Sequence, residues 1–168
     1  MKPVLVLACG NTLRGDDGVG WRIGSALQDE FQNEPAESAV EVILTQQLLP
    51  EHAEPLSRSN TAIFLDCSAI AQPGVVSTHS LSPAQSLPRI FTHHLDPASL
   101  LKLTQDLYGR IPARAVSITI GGKSFELQEQ LTEPVTAAIP IAVQAVHRAI
   151  VASEPERRAA TLVQHPQE

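Results

Sequence analysis

The hydrophobic pattern at the start of the chain changes from a buried strand to an amphipathic helix. Residues 4–8 form a continuous aliphatic run that ends at Cys9-Gly10-Asn11, as is typical of a strand buried on both faces of a parallel sheet. From Gly18 the apolar positions recur at helical spacing, which predicts a helix to about Gln32 and then a polar loop. The helical stripe consists of Val19, Ile23, Ala26 and Leu27.

Strands and short helices continue to alternate along the rest of the chain. The predicted strands are 40–44, 61–65 (stopped by Asp66), 75–79 and 115–120. The predicted helices are 50–58, one that starts at Asp96-Pro97 and ends at Gly109, and one that starts at Thr132 and Pro134. The stripe of the last helix consists of Val135, Ala138, Ile139, Ala142, Val146, Ala149 and Ile150. We expect Pro140 to kink this helix, and after Ser153 the periodicity is lost. This pattern predicts an α/β sandwich around a mostly parallel sheet, with one domain over 1–153 and a polar tail over 154–168.

Composition and charge exclude several classes of protein. A length of 168 residues is typical of one domain, and 43% hydrophobic residues are enough for a sizeable core. The net charge of -6, without a compensating basic cluster, argues against a nucleic-acid or anionic membrane partner. The segment 6–9 resembles a lipoprotein cleavage box, but the apolar run 3–8 is too short for the hydrophobic part of a signal sequence. No other stretch approaches the length of apolar sequence that a membrane span needs. Two cysteines cannot form a disulfide framework, so we expect reduced thiols and a cytoplasmic location.

Three groups of polar residues are predicted at the carboxyl ends of the strands, where the functional crevice of such a sheet lies. The first is the glycine-rich loop 10–20, which matches neither the dinucleotide fingerprint nor the Walker pattern and carries Asp16 and Asp17 at its centre. Capping of the helix or ordering of the loop is the structural alternative for Asp16, and because only one carboxylate of the pair is needed for it, the other is left free. The second group is Asp66, and the third is the pair His93-His94.

Asp66 carries the sharper chemical signal, because a carboxylate at the end of an apolar strand needs a cation, a metal or several donors. Capping of the following turn is its structural alternative. If strands one and three are adjacent, Asp17 and Asp66 face each other and repel unless a cation lies between them. At most one of His93 and His94 is expected to be a ligand, and a loop histidine is more often a solvated surface residue. Added to two carboxylates, however, one imidazole completes a three-ligand set with open coordination positions.

Two further chemistries receive less support from the residues. Cys9 and Cys67 also lie at strand ends, where a thiolate could bind a metal. They lack the C-x-x-C spacing of a thiolate site, so we interpret them as small buried residues. A serine hydrolase is disfavoured because the chain has no G-x-S-x-G elbow.

Taken together, these motifs resemble those of the nickel-iron hydrogenase maturation endopeptidases. The similarity extends from about residue 3 to residue 150. Its motifs are Gly10-Asn11-x-Leu13-x-x-Asp16-Asp17-Gly18-x-Gly20, the strand end Ile63-Phe64-Leu65-Asp66, the segment Thr92-His93-His94-Leu95-Asp96-Pro97, and Phe125-Glu126-Leu127 leading to Leu131-Thr132. Their order, spacing and placement at strand ends all agree with the family.

The resemblance implies an α/β/α sandwich with a five-stranded sheet, and metal ligands and catalytic residues at Asp17, Asp66 and His93. It implies an endopeptidase that removes the C-terminal extension of a hydrogenase large-subunit precursor after nickel insertion. The precursor is expected to supply the nickel, while zinc or cadmium could occupy the site in vitro. Gln128 departs from the family, which often has Gly there, and Cys9 and Cys67 stand where Gly or Ala is usual.

Two alternatives to this activity remain open from the sequence. One is a non-cleaving maturation chaperone that binds the metallated precursor, and the other is a hydrolase of a small substrate on the same sheet. We expect the isolated protein to be a monomer. Peptidase activity is favoured over the chaperone only if Asp17, Asp66 and His93 converge.

Overall fold

The computed structural model describes residues 4–32, 40–87 and 95–152. The predicted polar loop after the first helix, the predicted tail and both candidate histidines, His93 and His94, lie outside the described residues.

Within the described residues, a five-stranded sheet forms the centre of the fold. The strands are β1 (Val4–Cys9), β2 (Val40–Thr45), β3 (Thr61–Ser68), β4 (Val76–Ser80) and β5 (Arg114–Gly121). Their spatial order is β2-β1-β3-β5-β4, in which the first four run parallel and β4 is an antiparallel edge strand. The predicted fold class is therefore confirmed, and β1 and β3 are neighbours.

Helices cover both faces of the sheet. They are α1 (Val19–Gln32), α2 (Ala53–Ser57), α3 (Pro97–Tyr108) and α4 (Glu133–Val151), with short 3-10 turns at Gly15–Gly18 and Pro50–His52. The alternate side chains of β1 explain the two layers: Val4, Val6 and Ala8 pack in the cluster that contains α1 and α4, whereas Leu5, Leu7 and Cys9 pack in the cluster with α2 and α3. A strand buried on both faces must be apolar at every position, which is the pattern seen in the sequence.

The ends of α3 confirm the predicted start and stop signals. Asp96 is the N-cap, and its Oδ1 accepts a hydrogen bond of 2.9 Å from the backbone N–H of Ser99. Gly109 ends the helix with a φ of 69°, a left-handed conformation that glycine adopts without steric cost.

The predicted end of β3 at Asp66 is wrong, because the strand continues to Ser68. Asp66, Cys67 and Ser68 pair with residues 119–121 of β5. Hydrogen bonding to β5 extends β3 past the end of its own apolar run. Asp66 therefore sits on a regular strand backbone, and not in a loop.

Helix α4 is 19 residues long with a mean hydropathy of 1.3, so by length and composition alone it could cross a membrane. Its buried side chains instead pack against the sheet, as in a core helix of a globular domain. They are Val135, Ala138, Ala142, Ala145, Val146, Ala149 and Ile150. Ala145 thus joins the predicted stripe, and Ile139 is only partly buried at its margin.

Candidate functional site

The glycine-rich loop 10–18 folds back on itself above the end of β1. Gly10 has a φ of 151°, and a Cβ on it would lie 2.1 Å from the backbone oxygen of Asp17. A Cβ on Gly18 would lie 2.7 Å from the Cα of Thr12. These approaches require glycine, and they bring the two ends of the loop together. We call residues 10–18 the acidic loop.

Asp17 points back toward the end of β1. Its Oδ2 accepts a hydrogen bond of 3.0 Å from the backbone N–H of Asn11. The Asn11 side chain in turn accepts a 3.0 Å bond from the N–H of Leu13. The Asp17 carboxylate is partly buried, so it combines a defined orientation with access to solvent.

Close packing of α1 on the sheet brings the acidic loop to the end of β3. A Cβ on Gly20 would lie 2.3 Å from the carbonyl oxygen of Cys9 and 2.9 Å from that of Leu65. The first turn of α1 therefore rests directly on the ends of β1 and β3. Asp66 follows Leu65 and lies at the same edge of the sheet as Asp17.

The pKa of Asp66 depends on its burial and on the charge of Asp17. Loss of hydration raises the pKa of Asp66 to about 6, and the negative charge of Asp17 adds to the increase. A hydrogen bond of 2.8 Å from the N–H of Cys67 to its Oδ1 opposes this shift but does not cancel it. The side chain is nevertheless exposed, so solvent reaches the carboxyl group while the surrounding protein displaces part of its hydration. A reachable carboxyl group with a raised pKa is typical of functional crevices.

The two cysteines carry neutral thiols. Loss of hydration, followed by the negative charges of Asp66 and Asp17, raises the pKa of each thiol to about 12. Cys9 packs in the cluster with α2 and α3, and Cys67 packs against the opposite cluster. These observations favour the interpretation of both as packing residues.

Asp16 is fully buried and is a structural partner of a distant segment. Its Oδ2 accepts hydrogen bonds from the N–H groups of Lys123 and Ser124 and from the hydroxyl of Thr132, and its Oδ1 accepts from the Thr132 N–H. Burial raises the pKa of Asp16, but these bonds outweigh burial and the net pKa is lowered. Of the two structural roles considered for Asp16, capping and loop ordering, the structure shows loop ordering. The sequence contains no local signal for its partners, which lie more than a hundred residues away.

The structure thus brings Asp17 and Asp66 together and assigns Asp16 to a separate role. Within residues 4–32, 40–87 and 95–152, no group of three or more His, Cys, Asp or Glu side chains could hold a metal ion. His93, the expected third ligand, is outside these ranges, so the three-ligand site remains a prediction.

The fold of the five-stranded sheet and its helices is similar to solved structures of one class of enzyme. Hydrogenase maturating endopeptidase HybD from E. coli superposes with a TM-score of 0.71 at 25% identity, over 90% of this chain and 93% of that one. A hydrogenase 2 maturation peptidase from a Thaumarchaeota archaeon gives a TM-score of 0.61 at 26% identity, over 89% and 98% of the two chains.

More distant structures agree in fold. The maturation protease HycI from Thermococcus kodakarensis has a TM-score of 0.65 at 16% identity, over 89% of this chain and 92% of that one. The sequence matches no protein-family model and no curated protein. The chain is therefore similar in fold, and at 25–26% identity in sequence, to hydrogenase maturation endopeptidases of known structure.

Proposed function

We propose that this protein is an endopeptidase that removes the C-terminal extension of a nickel-iron hydrogenase large-subunit precursor after nickel insertion, as a cytoplasmic monomer. The main support is the Asp66 carboxyl group, which solvent reaches but whose pKa is raised to about 6 by partial loss of hydration and by the charge of Asp17. It lies in a fold that is similar to that of HybD from E. coli. His93 completes the proposed site as its third ligand.

The acidic pair explains why a metal belongs in this reaction. Burial raises the pKa of Asp66 most, and the negative charge of Asp17 adds to the increase, so a cation between the two carboxylates would relieve this repulsion. Two carboxylates and one imidazole are a moderate oxygen and nitrogen donor set that leaves positions open for ligands from elsewhere. We propose that the nickel ion belongs to the substrate and that Asp17, Asp66 and His93 recognise it there.

This arrangement makes cleavage depend on nickel insertion. A precursor without nickel leaves the two carboxylates uncompensated, whereas a nickel-loaded precursor neutralises them. The enzyme would then distinguish the two forms of the precursor in two ways: the two carboxylates repel each other in the complex with the nickel-free form, and they contact nickel in the complex with the loaded form. Zinc or cadmium carries the same charge and is expected to occupy the site in vitro.

Mass spectrometry of a candidate precursor tests the proposal. We expect a loss of mass at the C-terminus after incubation with nickel-loaded precursor and none with the apo form. Equal cleavage of both forms would reject nickel recognition. Binding without any change of mass would instead support the non-cleaving chaperone.

Matched variants test the residues. We expect Asp17→Asn, Asp66→Asn and His93→Ala to abolish cleavage with an unchanged circular dichroism spectrum. Asp106→Asn is the control for the carboxylates, because Asp106 is exposed near the end of α3, at the opposite edge of the sheet. His94→Ala is the control for the histidine, and a loss of cleavage in this variant alone would move the ligand by one residue.

A further inference from the structure

The acidic loop is joined along its length to the segment between β5 and α4. We call residues 122–132 the β5–α4 segment. The N–H of Gly15 donates to the carbonyl of Gln128 at 2.7 Å, the N–H of Gln128 donates to the carbonyl of Leu13 at 3.1 Å, and the N–H of Asp16 donates to the carbonyl of Ser124 at 3.0 Å. The two stretches therefore form one paired unit, although they are far apart in sequence.

A glycine permits this close contact. Gly15 has a φ of 56°, and a Cβ on it would lie 2.8 Å from the carbonyl oxygen of Ser124. A larger residue would push the β5–α4 segment away from the acidic loop. The tight fit means that the position of one stretch determines the position of the other.

The Asp16 carboxylate binds the β5–α4 segment at both of its ends. Lys123 and Ser124 donate to it at 2.8 and 3.0 Å near the end of β5. Thr132, the N-cap residue of α4, donates through its N–H at 2.7 Å and its hydroxyl at 2.8 Å. A fully buried carboxylate with four donors has one orientation, because any rotation leaves buried polar atoms unpaired.

The orientation of Asp16 controls that of Asp17, since the two residues are adjacent in a short 3-10 turn. If the backbone of Asp16 rotated, the Asp17 carboxylate would move away from the N–H of Asn11 and from Asp66. The hydrogen bond from the Asn11 N–H to the Asp17 carboxylate can therefore be used to monitor the position of that carboxylate.

We infer that Asp16 is a positioning residue: together with Thr132, it holds the β5–α4 segment against the acidic loop and so fixes Asp17 relative to Asp66. The consequence for catalysis rests on the proposed function, whereas the positional claim does not. Asp16 is buried away from any ligand and acts only through its neighbour.

Thr132 offers a mild perturbation of this contact. Thr132→Val removes the hydroxyl donor to Asp16 but keeps the backbone N–H donor and nearly the same shape. Thr132→Ser keeps both donors and is the matched control. Asp16→Asn is more severe, because its amide places hydrogens where the N–H groups of Lys123 and Ser124 already point.

Amide hydrogen exchange by NMR tests the positional claim, and cleavage of nickel-loaded precursor tests its consequence. In Thr132→Val we expect the Asn11 amide to exchange at least tenfold faster while the Val6 amide at the centre of β1 keeps its protection. We expect cleavage to fall about tenfold, and Thr132→Ser to match the wild type in both measurements.

A Thr132→Val protein with a lower melting temperature but unchanged Asn11 exchange would overturn the inference, because Thr132 would then only support the fold. Faster Asn11 exchange with wild-type cleavage would overturn the catalytic consequence. If the wild type does not cleave any precursor, the proposed function fails, and the Asn11 measurement still decides the position of Asp17.

Discussion

Asp66→Asn is expected to make the folded protein more stable above pH 6 while it abolishes the proposed activity. In the folded protein, loss of hydration and the nearby charge of Asp17 raise the pKa of Asp66 from 3.8 to about 6. The ionised carboxylate is therefore unfavourable in the native state. An Asn side chain removes this charge and keeps an Oδ1 that can accept the hydrogen bond from the Cys67 N–H.

The size of the effect follows from the pKa shift. One pKa unit corresponds to about 1.36 kcal/mol, so a shift from 3.8 to about 6 sets an upper limit of about 3 kcal/mol. Because Asp66 is exposed, solvent screening reduces this value, and we expect about 1 kcal/mol. For a domain of this size, that free energy corresponds to an increase in melting temperature of roughly 2–4 °C.

The pH dependence has a defined sign. Below pH 3.8 the carboxyl group is protonated in both the folded and the unfolded chain, and it has no cost. The cost grows as the pH rises from 3.8 to 6 and is complete above 6, because only the unfolded chain ionises freely in between. The stability difference between Asp66→Asn and the wild type should therefore be largest at pH 8 and shrink toward pH 4.

Urea denaturation at pH 8 and at pH 4.5 measures this difference, with Asp106→Asn as the control. Asp106 pairs with Lys102 on the surface of α3, and we expect its substitution to change the free energy of unfolding by less than about 0.5 kcal/mol. An Asp66→Asn protein that is less stable than the wild type at pH 8, or equally stabilised at both pH values, would refute the reasoning.

Three further predictions concern His52, Gly20 and Cys67. Burial lowers the pKa of His52, whose Nδ1 accepts a 2.9 Å hydrogen bond from the Leu49 N–H. The contribution of the neutral His52 side chain to stability should therefore be present above pH 6.5 and be lost as the pH falls. The stability difference between the wild type and His52→Asn should narrow from pH 7 to pH 5, and a constant difference would contradict this. Gly20→Ala should destabilise the fold by about 1–3 kcal/mol in thermal denaturation, because its Cβ meets backbone oxygen at 2.3 Å, and an unchanged melting temperature would show that α1 can shift. The thiol of Cys67, with a pKa of about 12, should be alkylated slowly at pH 8 and faster in Asp66→Asn, and rapid labelling of the wild type would contradict the raised pKa.

Local patterns in the sequence were sufficient for most elements of the fold. The aliphatic run before Cys9 predicted a doubly buried strand, and β1 is buried at every position. Asp96 and Gly109 marked the ends of α3, because capping depends on residues within one turn. The alternation of strands and helices placed Asp17 and Asp66 at one edge of a parallel sheet, since right-handed crossovers bring the carboxyl ends of parallel strands together.

Tertiary contacts decided the features that no local pattern encodes. The apolar run of β3 ends at Leu65, but the strand continues through Ser68 because its last residues pair with β5. The end of β3 therefore depends on its neighbour and not on its own hydrophobic pattern. The antiparallel direction of β4 likewise depends on its pairing with β5.

The roles of the two adjacent aspartates show the same limit at the candidate site. Asp16 and Asp17 are the same residue type at adjacent positions, so local physical arguments gave Asp16 a capping or loop-ordering role only as one of two possibilities, and Asp17 was assigned as the ligand only through the family resemblance. The fold separates them, because the donors of Lys123, Ser124 and Thr132 meet Asp16 in the interior, whereas Asp17 is only partly buried and accepts from the Asn11 N–H. No periodic pattern in the sequence reveals a hydrogen bond between residues 16 and 132. The raised pKa of Asp66 likewise depends on burial by the surrounding protein and on the charge of Asp17, so only the tertiary structure determines these two properties.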